Sequence, residues 1–247
     1  MFAYDKAIRD AASAEPRTID DVLRTMRVIE AACTDGDGLK WFNWLYLRVT
    51  EAVARRVAIG GFRDPPWLAE LDVQFARLYF AAIVGAVSHA SIPGSWRVLL
   101  ARRRETQLAR IQFALAGINA HINHDLPIAI VATWRSRGAG PRAGDDHHLD
   151  YTALNATLAG LVDSAKRELH VRLLGDALPA VSHVEDVIAA WSVEAAREAA
   201  WTNAEVLWSL ESAPFLSDLL SSRYLNSLDG LTSVAGKALM IPVPNLA

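Results

Sequence analysis

The chain has 247 residues, of which 52% are hydrophobic, and its formal net charge at pH 7 is −3. This composition excludes a disordered chain, and so small a charge provides no field that would attract nucleic acid or an anionic membrane. The length is sufficient to bury a large core. We therefore expect one globular domain that binds neither nucleic acid nor membranes.

The N terminus gives no targeting signal, because it is charged within its first six residues and has no apolar stretch of the signal-peptide type. The longest apolar runs, such as residues 80–87, are far shorter than the roughly 20 residues of a membrane span. The single cysteine, Cys33, cannot form an internal disulfide. These features predict a cytoplasmic protein in which Cys33 is a buried, inert thiol.

Helical periodicity dominates the sequence, and no segment shows the alternation typical of a strand. The predicted helices lie at about 18–33, 39–58, 65–87, 96–134, 151–174, 183–211 and 215–229. The fold class that follows is an all-α, single-domain bundle of about seven helices. We expect residues 1–17 to form an N-terminal arm, residues 18–230 the helical domain, and residues 231–247 an extended C-terminal tail.

Specific residues mark several helix starts. Asp64 can accept hydrogen bonds from the free amides of a new helix, while Pro65 takes the first helical position, where a missing N–H costs nothing. Asp150 is expected to cap the helix that follows the glycine-rich loop. Ser182 and Glu185 have the spacing of a capping box for a later helix.

The most unusual stretch is GINAHINHDLPIAIV, in which five polar side chains interrupt an apolar helix. His121, His124 and Asp125 fall on one helical face, and Asn119 and Asn123 on the opposite face. The His-x-x-x-Asp pair can chelate zinc or iron, or the carboxylate can orient an imidazole for acid–base catalysis. We predict the first three as catalytic residues and the asparagines as substrate-binding, the alternative being polar groups that only fix helix packing.

The segment DDHHLDY lies directly before a predicted helix and supplies His148 and Asp150. These two side chains can complete a divalent metal site with His121 and Asp125, a set that would bind zinc or iron. A solvated loop with an ordinary aspartate cap explains the same residues. The sequence leaves both interpretations open.

Two further helices carry candidate site residues. Asp72 shares a mostly apolar helical face with Tyr79, so its carboxylate must be paired, protonated or bound to a metal. Arg197 and Trp201 follow one another at a spacing of four in an alanine-rich helix. We predict Asp72 and Arg197 as catalytic and Tyr79 and Trp201 as substrate-binding, although ion pairs on a solvated face would give the same pattern around Arg197.

Four stretches together resemble a family of uncharacterised bacterial helical proteins, catalogued as a domain of unknown function: DGLKWFNWLYLRVT, GFRDPPWLAELDVQFARLYFAAI, GINAHINHDLPIAIV and AWSVEAAREAAW. The resemblance covers about residues 35–210, and its most specific motif is N-A-H-I-N-x-D-L-P. It implies a single helical domain and no known activity.

A second resemblance is chemical. Zinc-dependent phospholipase C and the related single-strand nucleases are helical enzymes with an H-x-x-x-D-x-x-x-P motif, and His121, Asp125 and Pro127 occur here in that order. His148 and Asp150 follow a glycine-rich loop, as the later ligands of those enzymes do. The proline stands two residues after the aspartate rather than four. The resemblance implies a zinc-dependent hydrolase.

Three functional hypotheses follow. The first is a metal-dependent hydrolase or oxygenase that acts on a small molecule. The second is a metal-free cyclase, isomerase or lyase that uses a His–Asp acid–base pair in a tryptophan-lined pocket. The third is a ligand-binding protein without catalysis, and all three leave room for a homo-oligomer.

Overall fold

The computed structural model describes residues 2–138, 140–161, 164, 168 and 192–242. Every regular element within these ranges is helical, which confirms the all-α prediction. The helices are α1 (Asp5–Ala12), α2 (Ile19–Ala32), α3 (Gly38–Ala58), α4 (Pro65–Val87), α5 (Gly94–Leu100), α6 (Arg110–Ala120), α7 (Leu126–Arg135), α8 (Asp146–Thr152), α9 (Val193–Glu211) and α10 (Ser217–Leu239), with a π-helical turn (His121–Asp125) between α6 and α7. None of these helices is long and apolar enough to cross a lipid bilayer.

The described part of the chain holds more helices than the seven predicted. Much of the difference comes from residues 96–134, which were expected to form one helix and are instead divided among α5, α6, the π-helical turn and α7. The break after α5 places the buried guanidinium of Arg103 against the carboxylates of Asp37 and Asp5. Periodicity predicted the helical character of this region but not the ion-pair cluster at its interruption.

Both predicted ends contain more helix than expected. The segment predicted as an arm includes α1, whose Ile8 is fully buried. Helix α10 continues to Leu239, so residues 231–239 are helical rather than the start of an extended tail. Gly230 and Gly236 lower the helix propensity there, but burial of Gly236 against α5 and α6 outweighs that local preference.

The predicted helix starts had different outcomes. Asp64 caps α4, since its Oδ1 accepts a hydrogen bond from the amide of Trp67 at 2.9 Å, and Pro65 opens the helix as expected. The cap predicted at Asp150 is wrong, because Asp145 already accepts the amide of His148 and Asp150 lies within α8. The capping box predicted at residues 182–185 lies outside the described residues.

The apolar side chains form two hydrophobic clusters. The first is built mainly from α1 to α6, and the second from α3, α4, α7, α8 and α9. Val49, Phe75 and Ile122 pack against both clusters. The π-helical turn, which contains Ile122, therefore lies where the two clusters meet.

Candidate functional site

The polar motif forms the π-helical turn His121–Asp125. The amide of Leu126 donates to the carbonyl of His121, five residues earlier, which widens the helix. Pro127 accounts for this widening, because it has no N–H and its ring would clash with the carbonyl four residues earlier in a regular α-helix. Short π-helical turns within α-helices are frequent at functional sites. The irregularity associated with Pro127 thus extends back over the whole polar motif.

Asp125 is the centre of this site, and its side chain is almost completely buried. Its Oδ2 accepts hydrogen bonds from Nδ1 of His121 at 3.0 Å and from the indole nitrogen of Trp96 at 2.8 Å. Its Oδ1 accepts from Nδ1 of His124 at 2.7 Å. Burial acts to raise the pKa of Asp125, but the hydrogen bonds from the two imidazoles outweigh it and hold the pKa below its usual value. Asp125 is therefore a carboxylate that orients both histidines.

The pKa values of the two histidines shift in opposite directions. Burial lowers the pKa of His121, and its hydrogen bond to Asp125 offsets this only in part. Burial also opposes protonation of His124, but the hydrogen bond and the charge of Asp125 outweigh it, so the pKa of His124 is raised. The environment therefore favours the protonated form at His124, beside the Asp125 carboxylate, and the neutral form at His121.

Aromatic rings fix the orientation of His121. Its ring stacks on Phe75 with the centroids 3.4 Å apart, and Tyr46 and Phe42 contact it edge-on at 4.5 and 5.6 Å. Phe42 reaches this position because residue 117 is a glycine, where a Cβ atom would lie 2.4 Å from the Phe42 ring. The imidazole is thus held by its neighbours on several sides.

The other nitrogen of His121, Nε2, is buried and has no hydrogen-bond partner among the described residues. With Nδ1–H donated to Asp125, Nε2 carries the free lone pair of the neutral imidazole. His121 also lines a cavity of about 70 Å³. The described lining of this first cavity is mostly apolar: Phe42, Leu45, Tyr46, Val49, Phe75, Ile118, His121, Ile122, Leu158, Val193 and Arg197.

A second cavity, of about 50 Å³, contains Asp72 in its lining. It adjoins the first, because Tyr46, Phe75 and Arg197 line both. Asp72 is 8% exposed, and its Oδ2 has no hydrogen-bond partner in the described structure. Burial raises the pKa of Asp72 to about 7. The sequence left three states open for this carboxyl group: paired, protonated or metal-bound. Its environment favours a protonated or partly protonated group.

Arg197, predicted as catalytic, lines both cavities but has a fixed set of partners. Its Nε donates to Asn155 at 2.8 Å, and its Nη2 donates to the carbonyl of Tyr151 at 2.7 Å. The guanidinium also lies 3.9 Å from the centre of the Tyr151 ring. Burial lowers the pKa of Arg197. We therefore describe Arg197 as a rigid, positively charged part of the cavity wall.

The two asparagines predicted to bind substrate connect helices. Asn119 donates to the carbonyl of Thr232 in α10 at 2.9 Å, and Asn123 donates to the side-chain oxygen of Asn119 at 3.0 Å. This contact with α10 differs from the surroundings of His121, whose ring packs on Phe75 of α4 and Tyr46 of α3. Neither belongs to the described lining of the two cavities.

The two aromatic residues predicted to bind substrate also have partners elsewhere. The hydroxyl of Tyr79 donates to Asn43 at 3.2 Å, although its ring packs 6.1 Å from that of His121. The indole of Trp201 donates to Glu205 at 3.2 Å and lies outside the described lining of both cavities. The aromatic rings in the described lining of the first cavity belong to phenylalanine, tyrosine and His121, and no tryptophan is among those described residues.

The four residues predicted as metal ligands are not assembled. His148 faces Glu198, with 3.2 Å between Nε2 and the carboxylate. Asp150 uses both oxygens on the backbone amides of Arg63 and Asp64, at 2.9 and 2.7 Å. Within the residues that the structure describes, no group of three His, Cys, Asp or Glu side chains could hold a metal ion. The physical reason is that Asp150 is committed to the start of α4, whereas His121 and Asp125 are committed to each other.

Sequence reasoning missed Trp96, Tyr46 and Phe42 as parts of the site. Trp96 donates to Asp125 from 29 positions away in the chain, and the rings of Tyr46 and Phe42 belong to α3. No local spacing connects these residues to the motif. The only available signal was the buried polar motif itself, which required donors and packing partners from elsewhere.

Comparison with known proteins identifies one relationship. A family of unknown function (DUF5995) matches residues 19–242. No curated protein and no solved structure matches the chain.

Proposed function

We propose that this chain, which belongs to the family of unknown function DUF5995, is a metal-free enzyme that acts on a small molecule by acid–base chemistry. His121 is the base, and Asp125 is the residue that orients it. The observation that carries this proposal is the state of His121: Nδ1 is bonded to a buried carboxylate, while Nε2 is buried and unpartnered in the described structure.

The arrangement suits proton abstraction. A neutral imidazole whose Nδ1–H is bound by a carboxylate presents a basic Nε2, and the carboxylate stabilises the imidazolium formed when Nε2 takes a proton. Trp96 and His124 hold the Asp125 carboxylate in place with two further hydrogen bonds. Stacking on Phe75 keeps the imidazole plane fixed during proton transfer.

The cavity restricts the substrate. An apolar cavity of about 150 Å³ is known to accommodate benzene, and the first cavity here is about 70 Å³. The ionisable side chains in its described lining are those of His121, Arg197 and Tyr46. We therefore propose a compact, largely apolar substrate in a cytoplasmic small-molecule reaction.

A substrate search with matched variants tests the proposal. The purified protein is incubated with a small-molecule extract of the cells that encode it, and the compounds consumed and formed are followed by mass spectrometry. We expect one compound to be converted by the wild type, and its conversion to fall by about 10²–10⁴-fold in His121→Gln, because general-base catalysis contributes about that factor. His148→Gln is the control, since His148 contacts Glu198 and does not line either cavity.

Three results would count against the proposal. Equal conversion by His121→Gln and wild type would remove His121 from the chemistry. Loss of conversion after treatment with EDTA would favour the metal-dependent alternative. An absence of any conversion, together with a compound retained by the wild type and lost from His121→Gln, would indicate a binding protein. Circular dichroism establishes that each variant is folded.

A further inference from the structure

Asp72 is buried beside His121, but base catalysis by His121 gives its carboxyl group no role. It lies one helical turn before Phe75 on α4, and residues three apart on a helix are neighbours. The ring of Phe75 stacks on His121 at 3.4 Å, so Asp72 and His121 flank the same side chain. Each presents a buried polar atom without a partner in the described structure, Oδ2 of Asp72 and Nε2 of His121.

The surroundings of Asp72 contain no cation bonded to it. Its described cavity neighbours are aliphatic side chains together with Tyr46, Phe75 and Arg197. Arg197 is bound to Asn155 and Tyr151, and among the described residues no ion pair joins it to Asp72. The charges of Asp72 and Asp125 both act on the buried Tyr46 hydroxyl, raising its pKa after the larger effect of burial. Burial, with no hydrogen bond to Oδ2 and no ion pair among the described residues, therefore disfavours the ionised form of Asp72.

We propose that the two adjoining cavities form one site for a compact neutral carbonyl compound, in which Asp72 donates a hydrogen bond to the carbonyl oxygen and His121 faces a carbon next to it. This inference rests on the proposed function, because it assigns the substrate class and a second catalytic residue to the same site. A protonated carboxyl group is a donor, and burial raises the pKa of Asp72 to about 7, which keeps that proton available near neutral pH. A site of this kind binds a carbonyl oxygen and rejects a cation.

The chemical step is an enolisation that needs no further reagent. Nε2 of His121 takes the proton from the carbon next to the carbonyl, and the electrons of that C–H bond form a C=C bond. The electrons of the C=O π bond move to oxygen, which takes the proton from Asp72. The products are an enol, an imidazolium at His121 bonded to Asp125, and a carboxylate at Asp72. If the ketone carries a C=C bond between its β and γ carbons, the enol is a dienol, and return of the proton from His121 to the γ carbon would complete an isomerisation.

The test measures binding rather than turnover, so its result is independent of the base. The probe is cyclopentanone, a compact ring that carries one carbonyl group, and cyclopentylamine is the cationic comparison. Ligand-observed NMR gives the Kd of each at pH 6 and pH 8. With a pKa of about 7, the protonated fraction of Asp72 falls about tenfold between these pH values, so we expect cyclopentanone to bind about tenfold more tightly at pH 6.

Two variants assign the effect to Asp72. Asp72→Asn keeps a donor that does not titrate, so it should bind cyclopentanone with little change between pH 6 and pH 8. Asp72→Leu has no donor and should bind the ketone at least tenfold more weakly than wild type at pH 6. If Asp72→Leu fails to fold, as judged by circular dichroism, Asp72→Asn alone decides the question through its pH dependence.

Other outcomes overturn the inference. Tighter binding of cyclopentylamine as the pH rises from 6 to 8 would make Asp72 a carboxylate that binds cations. An unchanged ketone Kd in Asp72→Leu, or a tenfold pH effect retained in Asp72→Asn, would remove Asp72 from the site. Failure of the proposed base alone would appear as equal conversion by His121→Gln and wild type, while the pH-dependent binding of cyclopentanone and its loss in Asp72→Leu persist, which separates the two proposals.

Discussion

Two regions of this protein contain a histidine bonded to an aspartate at the same distance. In the π-helical turn, Nδ1 of His121 lies 3.0 Å from Asp125, and at the start of α4, Nε2 of His147 lies 3.0 Å from Asp64. Both pairs touch tryptophan, since Trp96 bonds Asp125 and His147 packs 4.9 Å from Trp67. A His–Asp contact alone therefore does not distinguish the two regions.

The regions differ in which buried atoms lack a hydrogen-bond partner: at the start of α4 the indole nitrogen of Trp67 lacks one, but the carboxylates do not. At the start of α4, Asp64 caps the amide of Trp67 and also accepts from Arg137 at 2.9 Å, while Asp150 accepts two backbone amides. In each of these carboxylates, both oxygens accept hydrogen bonds that hold the fold together. Around the π-helical turn, Nε2 of His121 and Oδ2 of Asp72 remain without partners in the described structure, beside cavities. Unpartnered atoms of titratable side chains that line a cavity are therefore the better guide to chemistry.

The largest stability effect should follow from Asp125→Ala. The change leaves the N–H groups of His121 and Trp96 buried without an acceptor and removes the counter-charge of His124. Loss of one partner from a buried charged pair costs about 3–5 kcal/mol. Urea denaturation at pH 7 measures this cost as a change in the free energy of unfolding.

The matched control is Asp64→Ala, at the other His–Asp pair. Loss of a helix N-cap costs about 0.5–2 kcal/mol, and the Asp64 side chain is 26% exposed, so water can replace its other partners. If Asp64→Ala destabilised the protein as much as Asp125→Ala, the distinction between a buried site and a surface cap would fail.

Asp72→Asn is expected to raise the free energy of unfolding by about 4 kcal/mol at neutral pH, the opposite direction to Asp125→Ala. The pKa of Asp72 rises from 3.8 to about 7 on folding. Below pH 4 both states hold the proton and the group has no net effect. Between pH 4 and pH 7 the unfolded chain releases it and the folded chain keeps it, so Asp72 lowers stability progressively as the pH rises.

Urea denaturation of wild type and Asp72→Asn from pH 4 to pH 8 checks this sign. The variant should gain stability relative to wild type as the pH rises to about 7 and then keep a constant advantage, which reaches about 4 kcal/mol for a pKa change of this size. The quantity compared is the difference in the free energy of unfolding between the two proteins, because other groups titrate in both. Parallel curves over this range would show that Asp72 is solvated or paired in solution.

The local part of the site was predictable from the sequence. The spacing of His121, His124 and Asp125 places their side chains on one face, and the structure joins them by hydrogen bonds. The apolar surroundings of Asp72 indicated a perturbed carboxyl group, and burial does raise its pKa. These inferences depend only on helical geometry and on the cost of burying charge.

The long-range part was not predictable. Asp150 follows the glycine-rich loop at the position expected of a metal ligand, but a carboxylate there serves equally well to bind the amides that open α4. Which of the two it does depends on how α8 packs on α4, and one sequence does not contain that information. The same holds for Trp96, whose bond to Asp125 requires α5 to lie against the π-helical turn.

A further variant, Asp150→Ala, separates the two regions by function. Its two hydrogen bonds to the amides of Arg63 and Asp64 are lost, which leaves two partly buried donors and should cost about 1–3 kcal/mol. Because Asp150 lines neither cavity and does not contact His121, the variant should bind cyclopentanone with the wild-type Kd at pH 6. Urea denaturation and the NMR titration measure the two quantities on the same sample. A large loss of ketone binding in a folded Asp150→Ala protein would return Asp150 to the site and revive the shared arrangement that the sequence suggested.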